Sequence, residues 1–586
     1  MRMNIETRRA ARRKNSLLAG FVILGIGLIA VLGYPRPVLA QNDSDDPPSR
    51  VARLNLAQGT VSFQPGGESD WIQANPNRPL TTGDSIWADQ DARGEMHIGS
   101  TSIRLGSQTG ITFINLNDRT MQLQLSEGTL EVTIRRLDPD EAYEVDTPNV
   151  ALSLLRTGEY RIDVDPNGQT TAFTVREGEG EATGGGNAYN IDPGQRAMFS
   201  GTDTISYDIS SVGSPDNFDN WCETRDDHED NSASARYVSR SVTGYGDLDD
   251  YGTWQSVPDY GEVWVPSGVP EGWAPYRYGH WVWIEPWGWT WVEDEPWGFA
   301  PFHYGRWAFV RARWCWVPGP VVVRPVYAPA LVAFVGGGGF RIGISVGGGA
   351  PVGWFPLAPR EVYVPAYHAS PRYVQYVNVT NTTVNNVQVT NVYNNYQRNV
   401  NVTNVTYVNQ HVTNAVTVVN HDTFVNARPV APAMMKVQPE ELRTAQIVRA
   451  APVAPERQSI IGHSAPARVT PPAAVVNRRV IARLPAPPPP VPADRRLPEL
   501  QAQPGRPLPP EKIQQMRKPE EEYQHPRVQY APPARVRPNT YETRRPSPPP
   551  QQARPQQARP SQQARPQQQK PSKPNKAGKP GKPGQG

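Results

Sequence analysis

The residues best suited to bind another molecule are tryptophans, which are concentrated in one part of the chain. Twelve of the sixteen tryptophans lie between Trp254 and Trp316. Several are two residues apart, a spacing that places rings on one face of a β-strand. Such a strip can stack on sugar rings, receive a proline-rich peptide or lie at a membrane interface, or it can pack as the core of a small β unit. The candidates for ligand stacking are Trp273, Trp281, Trp283, Trp289, Trp291 and Trp307.

Carboxylates lie among these rings, and Glu293 and Glu295 are the pair to consider for catalysis. Two carboxylates beside a tryptophan strip are typical of a glycosidase cleft, so a carbohydrate-active enzyme is one hypothesis. The Pro-Trp-Gly that follows Glu295 instead indicates a turn between strands. The sequence holds no Ser-His-Asp order, phosphate-binding loop or zinc-protease motif. We therefore expect no catalytic residue, no metal site and no cofactor.

The only two cysteines are Cys222 and Cys315. In an oxidising compartment such a pair could form a disulfide, or the two could be separate buried thiols. Two cysteines without a histidine cluster do not supply the ligands of a metal site.

The ring-bearing segment contains a repeat, which indicates the element that must position the rings. Trp273-Ala-Pro-Tyr-Arg-Tyr-Gly-His-Trp281 returns 26 residues later as Phe299-Ala-Pro-Phe-His-Tyr-Gly-Arg-Trp307. Seven of the nine positions are identical or keep an aromatic ring. An echo at a fixed period indicates one supersecondary unit used more than once. We predict a repeated β module, rich in Trp, Gly and Pro, over residues 251–370.

The start of the chain predicts export. Five basic residues between Arg8 and Lys14 precede an apolar run from Leu17 to Leu32, and Val38-Leu-Ala40 suits cleavage by signal peptidase. Residues 1–40 are therefore predicted to be a signal peptide. The alternative is an uncleaved membrane anchor, although the apolar run is shorter than the ~20 residues that span a bilayer.

Short alternating strands with turn residues between them fill residues 50–201. Met121-Gln-Leu-Gln-Leu125 shows the period of two that half-buried strands have, and Gly83-Asp84 indicates a tight turn. The fold class is therefore mainly β, with an all-β domain at 50–201 that is a barrel, a sandwich or a short solenoid.

Motifs in this domain resemble those of FecR-like domains. In order they are Pro79-Leu-Thr-Thr-Gly-Asp84, Ile103-Arg-Leu105, Leu125-Ser-Glu-Gly-Thr-Leu130, Asp146-Thr-Pro148, Arg156-Thr-Gly-Glu-Tyr-Arg161 and Pro193-Gly-Gln195. The resemblance implies a non-catalytic periplasmic β domain. FecR-type regulators carry a cytoplasmic anti-sigma domain before the membrane segment, whereas only about fifteen residues precede the apolar run here. The sigma-regulating role is therefore not carried over.

A second resemblance covers roughly residues 240–370. Asp247-Leu-Asp-Asp-Tyr-Gly-Thr-Trp254, Val263-Trp-Val-Pro266 and Gly353-Trp-Phe-Pro-Leu-Ala-Pro-Arg-Glu-Val-Tyr363 are similar to an uncharacterised exported bacterial family of the DUF6600 type. Members often carry a FecR-like domain before this segment and a proline-rich tail after it. The resemblance implies no established activity.

The remaining segments are interpreted from composition. Residues 202–250 are an acidic linker, in part helical, and residues 371–426 are an Asn/Thr/Val-rich segment prone to form strands. Residues 427–586, rich in Pro, Gln and Arg, are predicted to be a disordered tail because such a composition buries little apolar surface. From Gln551 onward the tail has eight Lys or Arg and no acid, which would attract polyanions. The net charge of the whole chain is only +3.

These features favour an exported, non-enzymatic cell-envelope protein in the periplasm or at the cell surface. It would bind or scaffold through the β domain and the aromatic module. Expected partners are envelope polysaccharide, peptidoglycan, lipopolysaccharide or another envelope protein, with no nucleic acid, and with membrane only if the signal segment stays. The alternatives are an accessory sensor in envelope signalling and, third, the carbohydrate-active enzyme.

Overall fold

The computed structural model of the chain describes residues 45–336, 349–397, 407–412, 414–438, 445–517 and 528–531. Within these ranges the protein is mainly β, which confirms the predicted fold class. The predicted signal peptide, residues 1–40, lies outside the described residues. Across the described ranges, every helix is too short or too polar to cross a bilayer.

Alternating apolar residues in the first part of the chain form a domain of short strands. The strands are β1 Ala52–Gln58, β2 Val61–Gln64, β3 Ile72–Gln73, β4 Pro79–Leu80, β5 Ser85–Ala88, β6 Arg93–Ile98, β7 Thr101–Leu105, β8 Thr109–Leu116, β9 Thr120–Ile134, β10 Ala142–Asp146, β11 Ala151–Leu154, β12 Gly158–Val164, β13 Thr170–Val175, β14 Gly180–Gly184, β15 Asn187–Ile191, β16 Gln195–Ser200 and β17 Ser206–Ser211.

These strands form two sheets that share the long strand β9. One sheet has the order β4-β1-β6-β7-β9-β12-β13-β16-β17. The other has the order β3-β2-β5-β8-β9-β10-β11-β14-β15 and is antiparallel except at β9–β10. Apolar side chains from both sheets, such as Leu105, Phe113, Leu123 and Val132, pack into one core. Of the three topologies left open by the sequence, the sandwich is the one observed.

Gly128 lies where β9 passes from one sheet to the other. Residues before it pair with β8 and β10, and Gly128 and the residues after it pair with β12 and β7. Its φ of +97° is one that L-residues rarely adopt, and an added Cβ would lie 2.3 Å from the Thr109 Oγ1. Glycine therefore permits the corner that joins the two sheets.

The predicted end of this domain at residue 201 falls inside the β16–β17 hairpin. The domain therefore extends to Ser211. Within the segment predicted as an acidic linker, helix α1 Asn217–Asp230 begins at the capping residue Asp216. Its acids bind the first sheet, since Asp226 accepts from Arg104 at 2.8 Å and Asp219 accepts from Arg161 at 2.8 Å. A 3₁₀ helix at Ala233–Arg236 and the short helix α2 Leu248–Tyr251 follow.

The aromatic module consists of consecutive β-hairpins. The strands are β18 Gly252–Val257, β19 Gly261–Pro266, β20 Gly279–Ile284, β21 Gly288–Glu293, β22 Arg306–Val310, β23 Arg313–Val317, β24 Val332–Gly336 and β25 Val352–Pro356, with helix α3 Ala300–His303 before β22. Each hairpin carries directly opposed rings, which stabilise paired strands. The opposed pairs are Trp254 and Trp264, Trp281 and Trp291, Trp283 and Trp289, Trp307 and Trp316, Phe309 and Trp314, and Phe334 and Trp354.

The prediction of a strand-forming segment over 371–426 is wrong for its first part. The elements are α4 Pro371–Val379, α5 Asn386–Gln397, a 3₁₀ helix at Asn409–His411, β26 Thr417–Val419 and α6 His421–Val425. Ser370 caps α4 and Pro371 occupies its first turn, a common helix start. Val374 and Val377 lie on one buried face, so tertiary burial outweighs the strand propensity of the valines.

Within residues 427–586, predicted to be a disordered tail, the structure has ordered elements in 427–438 and 445–517. We call residues 445–517 the strap, because it crosses both modules. Its elements, with the flanking segments, are a 3₁₀ helix at Ala431–Ala433, β27 Gln446–Val448, α7 Arg457–Ile461, α8 Ala473–Val476, β28 Val480–Ala482, α9 Ala493–Ala502, α10 Pro510–Met516 and β29 Val528–Tyr530. Residues 532–586 lie outside the described residues.

Backbone and side-chain contacts hold the strap in place. The Gln73 amide donates to the Ala465 carbonyl at 2.9 Å, and the Ile481 amide donates to the Thr147 carbonyl at 2.8 Å. Apolar strap residues at irregular spacing, including Leu500, are buried against their neighbours. A segment without helical or strand periodicity can thus be ordered when its apolar side chains pack closely against neighbouring surfaces.

Candidate binding groove

The six tryptophans predicted as stacking candidates are core residues. Trp273, Trp281, Trp283, Trp289, Trp291 and Trp307 are between 0 % and 6 % exposed. The Trp281 ring centroid lies 5.4 Å from those of Trp291 and Trp354. The Trp307 indole donates to the Pro301 carbonyl at 2.9 Å. These six rings therefore lie in the core, as the core-packing alternative predicts, because the hairpins turn their rings toward one another.

The carboxylates considered for catalysis do not form a pair in a cleft. Glu293 is 1 % exposed, and its Oε2 accepts a hydrogen bond from the Trp291 indole at 2.8 Å. Burial raises the pKa of Glu293 well above its ordinary value, which favours the protonated carboxyl. Its side chain packs against Gly298, where an added Cβ would lie 2.3 Å from its Cγ. Glu295 is half-buried.

Of the two arrangements left open for the cysteines, the structure has separate buried thiols at Cys222 and Cys315. Cys222 lies on α1 beside Glu131 and Arg104, which belong to the first domain. Cys315 packs with Val263 and Val265 in the aromatic module. The two thiols are therefore buried in different parts of the fold and do not form a disulfide.

A groove of about 620 Å³ opens at one end of the aromatic module. We call it the aromatic groove; it is lined by Thr253, Gln255, Val265, Pro266, Ser267, Gly268, Val269, Pro270, Glu271, Gly272, Trp273, Phe309, Ala312, Arg313, Trp314 and Asn414. Of the predicted stacking residues, Trp273 alone is among these lining residues. A cavity of this size suits a small ligand or a short stretch of polymer.

Buried and exposed rings form the apolar part of the groove. Trp273 and Trp314 are buried, whereas Phe309 is 41 % exposed and its ring lies 5.3 Å from that of Trp314. The Trp273 indole is held by neighbouring rings, with its centroid 5.4 Å from that of Trp307. Its Nε1–H has no acceptor among the described residues. The groove thus has a fixed aromatic wall.

Phe309 occupies the repeat position that Trp283 occupies in the first copy, 26 residues earlier. The two rings have opposite environments, because Trp283 is 1 % exposed and Phe309 is 41 % exposed. The strap covers the first hairpin: Pro507 packs on Gly288, and the Trp289 indole donates to the Val453 carbonyl at 3.0 Å. The second hairpin therefore presents a ring that the first one buries.

Polar side chains surround this ring. Thr253, Gln255, Glu271 and Arg313 are exposed at the rim, and Gln255 donates to Thr253 Oγ1 at 3.3 Å. Amide, carboxylate, hydroxyl and guanidinium groups together can donate to and accept from the hydroxyls of a sugar. Neutral sugars are bound in this way, by a ring against their C–H face and by hydrogen bonds at their edge.

Two backbone features fix the rim. The Arg277 guanidinium donates to the carbonyls of Gly272 and Asn414, which ties the loop before Trp273 to the residues after α5. Arg311 and Ala312 form the two-residue turn of the β22–β23 hairpin, with φ values of +50° and +61°. Non-glycine residues with positive φ are strained and occur often at binding sites. The position of Phe309 beside this turn is therefore set by a tight hairpin.

Phe309, Trp314, Gln255, Glu271 and Arg313 are not among the ligand-stacking residues predicted from the sequence. The repeat itself carried a signal for Phe309, since it aligns this residue with a tryptophan. The charged residues Arg311 and Arg313 next to it further indicate a solvent-facing end of the hairpin. No sequence pattern indicated the polar rim, because its residues come from segments far apart in the chain.

Comparison with known proteins agrees with one predicted resemblance. Residues 245–361 match the model of a family of unknown function, DUF6600, which includes most of the groove. No curated protein matches the chain. Two crystal structures, at 2.50 and 1.65 Å resolution, of a Parabacteroides distasonis ATCC 8503 protein described as an anti-sigma factor are similar at 15 % identity and a TM-score of 0.20. The match covers 22 % of this chain and 60 % of that one.

Proposed function

We propose that this chain is an exported, non-enzymatic protein of the cell envelope that binds polysaccharide through the aromatic groove. The observation that carries the proposal is the exposed Phe309 ring, set beside Trp314 and surrounded by Thr253, Gln255 and Arg313. The basic start of the chain, its apolar run and Val38-Leu-Ala40 support export. The FecR-like motifs support a periplasmic β domain in front of the binding module.

The absence of catalysis in the proposal is supported by the environment of the candidate acids. A glycosidase needs two carboxyl groups that flank the scissile bond, ~5 to 9.5 Å apart and open to substrate. Glu293 is enclosed by Trp291 and Gly298, so it cannot reach a bound glycan. In the aromatic groove, Glu271 is the sole carboxylate among the described lining residues.

Binding of the full chain to isolated peptidoglycan, lipopolysaccharide and a panel of neutral and acidic glycans tests the proposal. Phe309→Ala should weaken the binding of a true ligand about tenfold, since a ring contact contributes ~1 kcal/mol or slightly more. Gln255→Ala should weaken it less. Leu155→Ala removes an equally exposed apolar side chain from the first domain and is the matched control.

Trp281→Ala separates groove binding from loss of fold. This ring is in the core, so its removal should lower the melting temperature, whereas Phe309→Ala should leave the melting temperature nearly unchanged. Absence of binding to every glycan, or binding that is unchanged by Phe309→Ala, would contradict the proposal. Release of product from any glycan would instead favour the enzyme hypothesis.

A further inference from the structure

The last strand of the first domain is an open sheet edge. All six residues of β17, Ser206–Ser211, are exposed, and β17 pairs with β16 alone among the described strands. It contains no proline or lysine, and its pairing with β16 shows no bulge. Proline, lysine and bulges are the usual means by which proteins protect an edge from further pairing. This edge is unprotected.

The register shows which backbone groups of β17 are free. The Val212 amide donates to the Gly194 carbonyl at 3.0 Å, which continues the β16–β17 ladder by one pair. In an antiparallel ladder the direction of the N–H and C=O groups alternates. Ser206, Asp208 and Ser210 therefore bond to β16, while Tyr207, Ile209 and Ser211 direct their backbone groups away from the sheet.

Apolar side chains line one face of this edge. Tyr207 is 52 % exposed and Ile209 is 40 % exposed, and both lie on the face that holds the buried Phe199. The Tyr207 ring centroid is 4.5 Å from that of Tyr189. A strand added beside β17 would continue this aromatic row if it placed apolar residues at every second position.

The charge of the edge determines which side chains suit the opposite, polar face of an added strand. β17 and the residues after it up to Thr224 have no Lys or Arg, and the exposed acids here include Asp203 and Asp208; the neighbouring Arg196 on β16 is paired with Asp163. Opposite charges across paired strands stabilise the pairing and like charges oppose it. Two copies of this edge would bring acids together, so a second copy is a poor occupant and a basic strand is a good one.

Backbone hydrogen bonds to the strap cover another sheet edge of the same domain. The strap residues Ala465 and Ala467 bond to Gln73 and Trp71 at β3, the edge strand of the second sheet. These contacts show that extended segments bind sheet edges in this fold. We infer that β17 is a docking edge for an extended segment of another protein, in which apolar residues alternate with Lys or Arg. This surface is separate from the aromatic groove.

A peptide probe tests the inference on the full chain. The probe is an end-blocked ten-residue peptide of alternating valine and lysine, and its control has glutamate in place of lysine. The lysine peptide should bind at least about tenfold more tightly, a difference of ~1.4 kcal/mol. Binding should slow hydrogen exchange of the Tyr207, Ile209 and Ser211 amides, which the ladder leaves free.

Two variants make the test decisive. Ile209→Pro removes an outward N–H while the β16 ladder keeps its bonds, and it should abolish binding. Asp208→Lys leaves the backbone intact and should reverse the preference toward the glutamate peptide. The inference is overturned if neither peptide binds or neither variant alters binding. It is also overturned if the chain is a dimer that Ile209→Pro dissociates, since the occupant would then be a second copy.

Discussion

Tyr276 and Phe302 occupy the same position in the two copies of the repeat, and they contact each other directly. The Tyr276 hydroxyl donates to the Phe302 carbonyl at 2.7 Å, and the two ring centroids lie 4.9 Å apart at an angle of 84°. The same hydroxyl accepts from the Leu331 amide at 3.0 Å. The copies of the repeat are therefore joined to each other and to the next hairpin through one buried oxygen.

Tyr276→Phe should destabilise the protein by about 2 kcal/mol. The substitution keeps the ring but leaves the Leu331 amide and the Phe302 carbonyl without their buried partner. Tyr251→Phe is the control, because Tyr251 is exposed and should lose little. Urea denaturation of both variants measures the difference, and equal midpoints would contradict the role assigned to the Tyr276 hydroxyl.

Cys222 and Cys315 should react with maleimide only when the protein opens. Burial raises the pKa of each thiol, which reduces the reactive thiolate as well as access to it. Labelling of the native protein should be at least about a hundredfold slower than labelling in guanidinium, as an opening cost above ~2.7 kcal/mol would require. Mass spectrometry without reductant checks the result. Two labels are expected in denaturant, and none at all would instead indicate a disulfide.

Glu293→Gln should raise the melting temperature at neutral to alkaline pH. The folded-state pKa of Glu293 is raised above the unfolded value of 4.5, so the folded protein holds its proton while the unfolded chain loses it. Stability from this group is complete below about pH 4.5 and declines as pH rises toward the folded pKa. The amide imitates the protonated acid, so the gain should be small near pH 4.5 and should grow as pH rises above it.

Glu262→Gln is the control for this pH dependence, because Glu262 is exposed on β19. Its melting temperature should follow that of the unmodified protein across the whole pH range. A Glu293→Gln variant with the same offset at every pH would show that the folded state does not retain the proton.

Gly83→Ala should loosen the strap. At Gly83, φ is +94° and an added Cβ would lie 2.4 Å from the Pro490 Cγ. Gly186→Ala is the matched control, since its φ is +74° but nothing lies within 4 Å of an added Cβ. Both variants should lose ~1 kcal/mol or more from the left-handed backbone. Only Gly83→Ala should speed tryptic cleavage at Arg483 and Arg495; equal cleavage in both variants would mean that Pro490 does not depend on this glycine.

Local patterns in the sequence predicted the strands and turns. Alternation in Met121-Gln-Leu-Gln-Leu125 gave the start of β9, and the Gly83-Asp84 turn is present. The Asp84 carboxylate accepts from the Thr81 amide at 2.7 Å and from the Gly66 amide at 2.8 Å, as a turn-capping aspartate does. The repeat likewise gave two hairpins with rings in corresponding positions.

Contacts between distant segments were beyond the reach of the same patterns. The strap has no periodicity, and its prolines and arginines resemble those of disordered chain. Its order comes from Val453 and Pro490 meeting surfaces more than a hundred residues away. The burial of Trp283 and the exposure of its repeat partner Phe309 follow from this coverage, so the groove could not be located before the strap was placed.

The order of segments along the chain determines which contacts form last during synthesis. The strap is synthesised after both modules that it joins, and its bonds to Gln73 and Thr147 connect residues separated by more than three hundred positions. Contacts of such long sequence separation form late. During synthesis from the amino end, β3 therefore lacks its strap pairing and Trp289 stays uncovered until the last third of the chain has been made. These exposed surfaces are the ones that a chaperone would bind in that interval.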